Sequence, residues 1–193
     1  IDNALKRAAL LHVDETGINI GGKRQWLHCA SSPRWTSFHP HAKPGKEAMD
    51  DAGILPYYAG ILCHDHWKPY YRYPQAKHAL CNAHHLRELQ RAFEQDEQLW
   101  TKKMQDFLLS LNAKVAGHTM GMLTPDEVQH ARQRYHDMVH EGVQTCPAPD
   151  KDTREPGQRG RLKRSNSRAL LDRLREYEDD TLRFMAKNHA PFH

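Results

Sequence analysis

The stretch LLHVDETGINIGG, residues 10–22, starts with apolar residues, passes through two acids and ends in a Gly-Gly pair. Its pattern predicts a β-strand that ends at Asp14 and is followed by a tight turn. RQWLHCASS, residues 24–32, and RWTSFHPH, residues 34–41, are rich in β-formers and predict two further strands. Because both connections are short, the three strands are expected to form a meander.

Strands and helices alternate after the meander. PGKEAMDDAGIL (44–55) combines helix formers with a Gly stop and predicts a short helix. YAGILCHD (58–65) predicts a buried strand that ends at Asp65, and KHALC (77–81) predicts another short strand. NAHHLRELQRAFEQ (82–95) is amphipathic at helical spacing. This order predicts a mixed sheet covered by helices, in the α/β or the α+β class.

The second half of the chain is expected to be helical. An apolar stripe follows residue 97, and Thr124 with the Pro and Glu after it has the pattern of a helix cap. Residues 144–168 contain three Pro, two Gly and seven Lys or Arg, which is typical of a mobile basic linker. We divide the chain into a core at 1–96, an α-helical insertion at 97–143, the linker at 144–168 and a C-terminal helix at 169–193.

Composition limits the class of protein. The chain has 193 residues, a formal charge of +4 and 27% charged residues, so we expect one good-sized, soluble domain. No segment approaches the roughly 20 apolar residues of a membrane span, and no signal peptide opens the chain. The four cysteines are scattered, which favours free thiols in a reducing compartment. The mildly basic charge permits a nucleic-acid partner without requiring one.

Asp14 and Asp65 each follow a short apolar strand. If the two strands are neighbours, the carboxylates lie within a few ångströms of each other, where like charges repel unless a cation holds them. Oxygen ligands favour Mg²⁺ or Mn²⁺ over Zn²⁺, and a pair of such ions can drive phosphodiester cleavage. The alternative is that each aspartate is a turn residue or a helix cap, the commoner role of an Asp after a strand.

Four segments in order carry a resemblance to a known family. They are HVDETG (12–17), WLHCASS (26–32), GILCHDHWKPYY (60–71) and HALCNAHHLREL (78–89). Together they are similar to transposases of the insertion sequence 66 family, which are DDE-type enzymes. The resemblance runs from about residue 8 to the end and is densest in residues 10–95. It implies a ribonuclease H-like mixed sheet with flanking helices and an α-helical insertion.

The resemblance also implies a chemistry. Asp14 and Asp65 match the first two acids of the family's catalytic triad, which would hold two Mg²⁺ or Mn²⁺ ions. Water would cleave the transposon end, and the freed 3′-hydroxyl would attack target DNA. The third acid, a Glu, follows a Pro-Phe-Asp-Asn-type segment in the family, and this chain ends at APFH, residues 190–193. No residue here matches that Glu, so the chain is expected to be incomplete and weakly active or inactive; neither Glu15 nor Glu88 is assigned in its place.

The implied partner is DNA, both as transposon ends and as target, with no membrane partner. A homo-oligomer is expected to assemble on that DNA. The implied location is the bacterial cytoplasm, with association to the nucleoid during the reaction.

Histidine and cysteine residues surround the two acids. His78, Cys81 and His84 include a C-x-x-H spacing that is compatible with zinc, although no second ligand pair is evident. The resemblance favours a supporting or packing role for Cys81 and His84. By strand alternation His12 shares a face with Asp14, which predicts a supporting position below the site.

Basic residues predict where DNA would be held. KPYYRY (68–73) interleaves aromatic residues with Lys68 and Arg72, which suits nucleic acid and equally suits a partly buried loop. The linker offers further candidates for phosphate contacts, with a solvated loop as the alternative. These candidates are Arg159, Arg161, Lys163, Arg164 and Arg168.

Three functions are therefore weighed from the sequence. The first is a DDE transposase core that cleaves and transfers DNA strands. The second is a ribonuclease H-like nuclease without transfer activity. The third is a non-catalytic DNA-binding or assembly module in which the two aspartates are structural.

Overall fold

The computed structural model describes residues 1–150, 162, 164–186 and 190–193. The chain separates into two compact units. The first contains Ile1–Cys81 and the final residues of the chain, and the second contains the helices that follow Cys81. Within the described ranges, no helix is long and apolar enough to cross a membrane.

The first unit is built on one five-stranded sheet with strand order β3-β2-β1-β4-β5. Antiparallel pairing of β1 with β2 and of β2 with β3 confirms the predicted meander. Parallel pairing of β1 with β4 and of β4 with β5 makes the sheet mixed and confirms the α/β prediction. The strands are β1 (Leu10–Ile20), β2 (Lys23–Ser31), β3 (Thr36–His41), β4 (Ile61–His64) and β5 (Lys77–Leu80).

The prediction that the first strand ends at Asp14 is wrong. β1 continues to Ile20, and its register with β2 runs on until Ile20 lies opposite Lys23. Pairing with β4 ends earlier, at His12 opposite Cys63. β1 can continue beyond the end of β4 because its pairing with β2 still satisfies the backbone hydrogen bonds along one edge. Gly21 and Gly22 close that hairpin with φ of 57° and 75°, as a two-residue turn of the mirror-image type requires.

One face of the sheet packs on short helices of the same unit. Leu11 and Val13 of β1 and Leu62 of β4 are buried in one apolar cluster with Met49 and Tyr70. These contacts anchor the two strands that carry Asp14 and Asp65. The helices are α1 (Asp2–Lys6), α2 (Lys46–Asp51) and the 3-10 turns Leu55–Tyr57 and Lys68–Arg72.

The second unit contains helices alone. Its members are α3 (Asn82–Asp96), α4 (Leu99–Gly117), α5 (Pro125–Thr145), α6 (Asn166–Glu176), α7 (Glu178–Thr181) and α8 (Arg183–Ala186). The apolar stripe of α4, which includes Trp100 and Met104, is buried. The predicted cap of α5 is confirmed, because the Thr124 side chain accepts from the Glu127 amide while the Glu127 carboxylate accepts from the Thr124 amide. Helix α3, grouped with the strands from the sequence, packs against α4 and α6.

Two expectations for the C-terminal region are wrong. The single helix predicted after residue 169 is divided into α6, α7 and α8, because the backbone leaves helical geometry at Tyr177 and at Leu182. Helix α6 also begins inside the predicted linker. Ser165 caps it, since its Oγ accepts the Arg168 amide at 3.0 Å.

The close packing around Gly142 of α5 can be tested by substitution. A Cβ at this position would lie 2.8 Å from Leu171 Cδ1 and 3.1 Å from Trp100 Cδ2, atoms of two buried side chains. We expect Gly142→Ala to lower the free energy of unfolding by about 1–2 kcal/mol, because overpacking outweighs the gain in helix propensity. Urea denaturation measures this change in the free energy of unfolding. Gly117→Ala, whose Cβ would meet nothing within 4 Å, is the control; equal effects of the two variants would contradict the packing.

Candidate active site

The pairing of β1 with β4 brings Asp14 and Asp65 to one level of the sheet. The parallel register joins Leu10 to Ile61 and His12 to Cys63. Continued by two residues, the same register would set Asp14 opposite Asp65 at one strand spacing, ~4.8 Å between main chains, and Asp65 itself follows the end of β4. The condition set by the sequence, that the two strands be neighbours, is therefore met.

Asp65 lies in a tight turn directly after β4. Its Oδ1 accepts the Trp67 amide at 2.8 Å, and His66 between them has a left-handed backbone with φ of 80°. The turn explains why β4 stops at His64. It also shows that Asp65 has the turn role that the sequence kept open, which occupies one of its two carboxylate oxygens.

Asp14 is exposed on β1, and its Oδ1 accepts the Glu15 amide at 2.9 Å. Across the described residues, no Lys or Arg forms an ion pair with Asp14 or Asp65. Two neighbouring carboxylates therefore carry negative charge that no basic side chain of the described chain compensates. Such a pair attracts a cation.

Glu15 adds a third carboxyl group to this region. Its Oε2 accepts a hydrogen bond of 2.5 Å from the hydroxyl of buried Tyr70. Burial raises the pKa of Glu15 to about 7, the Tyr70 hydrogen bond opposes that rise, and the charges of Asp65 and Asp14 add to it. Glu15 therefore lies within electrostatic reach of both aspartates, although alternation along β1 directs it to the opposite face from Asp14.

A buried histidine supports the turn that holds Asp65. His64 Nδ1 accepts the His66 amide at 3.1 Å, so a neutral ring has its proton on Nε2, which lies 3.0 Å from His78 Nδ1. Burial, with His78 and His66 nearby, lowers the pKa of His64 to about 3. A ring that stays neutral at physiological pH accepts the His66 amide and so supports the backbone beside Asp65. Apart from the density of histidines, no local sequence pattern indicates this network.

The residues predicted to support the site are only partly brought together. His12 lies level with Cys63 on β1, and its pKa is lowered by burial, with an opposing effect from Cys81. Cys81 follows β5, and its amide donates to the His64 carbonyl at 2.9 Å. A hydrogen bond to Cys81, followed by burial, raises the pKa of Cys63. His84 belongs to α3 in the other unit.

Neither the zinc alternative nor a site of three acids has a ready-made ligand group in the described part of the chain. No group of three or more His, Cys, Asp or Glu side chains there is arranged to hold a metal ion. His78, one of the suggested ligands, bonds instead to His64. Glu88, the other acid considered for the third position, pairs with Arg173 in the helical unit.

The basic residues predicted to contact DNA differ in exposure and in whether they form ion pairs. Lys68 and Arg72 are exposed on the 3-10 turn after Asp65, whereas Tyr70 and Tyr73 between and beside them are buried. The partly buried loop is thus confirmed for Tyr70 and Tyr73, whereas DNA contact by Lys68 and Arg72 stays a prediction. Arg164 pairs with Asp172, and buried Arg168 bonds Asp172 and the Cys146 carbonyl. Arg159, Arg161 and Lys163 lie outside the described residues.

The raised pKa of Glu15 predicts a stability that depends on pH. The folded chain keeps the Glu15 proton up to about pH 7, whereas the unfolded chain releases it near 4.5. Stability from this group therefore falls as pH rises from 4.5 to 7. Without divalent ions, Glu15→Gln should be more stable than the parent near pH 8 by on the order of 1–3 kcal/mol, with little difference near pH 4. Urea denaturation at several pH values measures the difference in the free energy of unfolding, with Glu94→Gln as an exposed control. A difference that does not change with pH would contradict the raised pKa of Glu15.

The comparisons agree with the resemblance seen in the sequence. A sequence model described as the transposase IS66 family, of the DDE type, matches residues 1–193. Comparisons with curated proteins and with solved structures give no match. The chain matches this family model over its whole given length, and it therefore belongs to the IS66 family of transposases.

Proposed function

We propose that the chain is the core of a DDE-type transposase in which Asp14 and Asp65 hold divalent metal ions for DNA strand cleavage and strand transfer. Family membership supports a function in transposition. The observation that supports the catalytic step is the parallel pairing of β1 with β4, because Asp14 and Asp65 follow the paired residues of these two strands.

The fold supports the same proposal. A meander followed by two parallel strands, with helices between and after them, agrees with the ribonuclease H-like sheet that the family resemblance implies. In this arrangement the two acids come from adjacent strands whose directions are the same. Short strands anchored by buried Leu11 and Leu62 hold their positions.

The residues present fit a hard cation. Mg²⁺ is commonly bound by one or two carboxylates, with waters and substrate phosphates completing the shell. Asp14 and Asp65 each engage one oxygen with a neighbouring amide, which leaves the other oxygen for a ligand. Bound ions would polarise the phosphodiester and activate the attacking hydroxyl. The resemblance implies two Mg²⁺ or Mn²⁺ ions in the complete enzyme.

The protein's own residues orient this site and its substrate. The Trp67 amide and the His64 ring fix the turn at Asp65, so the carboxylate is positioned before the substrate arrives. Lys68 and Arg72 are exposed on the next turn, where they would contact DNA phosphates at transposon ends and target. Arg164 already has a carboxylate partner and would contribute less. Assembly as a homo-oligomer on DNA remains part of the proposal.

One observation favours a second candidate, a DNA-binding or assembly module without catalysis. The main-chain hydrogen bond of Asp65 is that of a structural turn residue, and Asp14 bonds only the next amide of its own strand. A ribonuclease H-like nuclease without transfer differs from the transposase in its products. An oligonucleotide with a free 3′-hydroxyl would be joined to target DNA by the transposase and only shortened by the nuclease.

Asp65→Asn separates metal binding from turn structure. Asparagine keeps the Oδ1 acceptor for the Trp67 amide, so we expect the fold to persist while the charged ligand is lost. Mn²⁺ affinity, measured by calorimetry, should fall about 10- to 100-fold, and any Mg²⁺-dependent DNA cleavage should fall with it.

The control for this experiment is Asp51→Asn, which removes an acid of the same unit that pairs with His39. That variant should bind Mn²⁺ as the parent does. Unaltered Mn²⁺ affinity in Asp65→Asn would make the aspartates structural and favour the non-catalytic module.

A further inference from the structure

Beyond Glu15 the β1–β2 hairpin continues past the rest of the sheet. Pairing of β1 with β4 has ended at His12, and pairing of β2 with β3 extends only to Trp26 opposite His41. Residues 17–26, here called the ribbon, are therefore two strands joined by the Gly21-Gly22 turn. Most of the ribbon's tip is exposed.

The ribbon carries positive charge only. No Asp or Glu occurs from residue 16 to residue 46, a stretch that contains five Lys or Arg. Lys43 and Lys46 pair with acids that follow this stretch. Lys23 and Arg24 are exposed, and neither forms an ion pair with any residue that the structure describes.

The side chain of Arg24 lies across the ribbon, against Trp26 and Gly17. Its guanidinium carbon lies 5.4 Å from the centre of the Trp26 ring. It also crosses Gly17, where an added Cβ would lie 2.8 Å from Nε and 3.0 Å from Nη2. A planar guanidinium stacked on an aromatic ring, with no carboxylate partner, is pre-organised for a phosphate.

We infer that the ribbon binds the backbone of duplex DNA, with Arg24 holding a phosphate on the face of the sheet that Glu15 shares. A two-stranded ribbon fits the major groove of B-DNA, and the charge of Lys23 and Arg24 complements the phosphates. Gly17, which the Arg24 side chain crosses, follows Asp14 by three residues, or ~10 Å along the strand, and strand alternation places it on the opposite face from Asp14. The inference rests on the proposed function for the identity of its partner.

The alternative explanation is that the basic residues of the ribbon protect it from pairing with other chains. Exposed Lys and Arg on a hairpin prevent edge-to-edge pairing with other chains, and that role needs no ligand. It predicts no specific effect on DNA binding. A binding experiment with matched arginines therefore decides between the two explanations.

The experiment measures binding of a short, fluorescently labelled DNA duplex to the full chain in EDTA over a series of salt concentrations. Arg24→Gln should weaken binding about three- to tenfold near 0.1 M salt and reduce the slope of log K against log salt by about 0.9. Gly17→Ala keeps the charge but displaces the guanidinium. It should weaken binding to a smaller extent, with little change of slope.

The matched control is Arg134→Gln in the helical unit. Arg134 is exposed and lies 5.3 Å from the centre of the Phe107 ring, so the same charge and a similar stacking contact are removed. Equal effects of Arg24→Gln and Arg134→Gln, or no duplex binding by the parent, would overturn the inference. Unfolding midpoints of all variants establish that each is folded.

The outcome is separate from the test of catalysis. Because binding is measured in EDTA, it does not depend on metal ligation by Asp14 or Asp65. If Asp65→Asn left Mn²⁺ binding unaltered, the proposed function would fail while an Arg24-specific loss still supported the ribbon. If metal-dependent cleavage held and Arg24→Gln matched its control, only the ribbon inference would fail.

Discussion

The parallel pairing of β1 with β4 is the constraint on which the site depends. Side chains alternate along a strand, so a shift of one residue in this register would turn one aspartate to the other face. The observed register has Leu10 opposite Ile61 and His12 opposite Cys63, and each aspartate follows its strand's last paired residue by two positions. It is held by burial of Leu11 and Leu62 in the core of the first unit. Apolar packing thus fixes the spacing of two charged groups.

That spacing is electrostatically unfavourable without a cation. Asp14 and Asp65 lack basic partners among the described residues, and their charges contribute to a Glu15 pKa of about 7. The chain tolerates the repulsion because Tyr70 and two main-chain amides donate hydrogen bonds to the three carboxyl groups. Sites that bind a charged ligand often retain such uncompensated charge at some cost in stability. Exposed basic residues lie nearby in sequence, with Lys68 and Arg72 on the turn after Asp65 and Arg24 on the hairpin that β1 forms with β2.

Much of this arrangement could be predicted from the sequence, and the failures have physical causes. Short connections predicted the meander, and the apolar run before Asp65 predicted β4, because strand signals are local. The end of β1 was misplaced at Asp14, since a strand continues through polar residues when a hairpin partner satisfies it. The Tyr70–Glu15 bond and the His64–His78 pair join residues 55 and 14 positions apart, and no local pattern encodes such contacts. The break of the last helix at Tyr177 and Leu182 likewise depends on tertiary packing.

A crystal structure with Mn²⁺, using its anomalous scattering, tests the paired-aspartate site most directly. The account predicts an anomalous peak with one oxygen of Asp14 and one of Asp65 each about 2.1 Å away. The turn at Asp65 and its bond to the Trp67 amide should persist in that structure. A peak bound elsewhere, such as between His64 and His78, with none touching the two aspartates, would contradict the account.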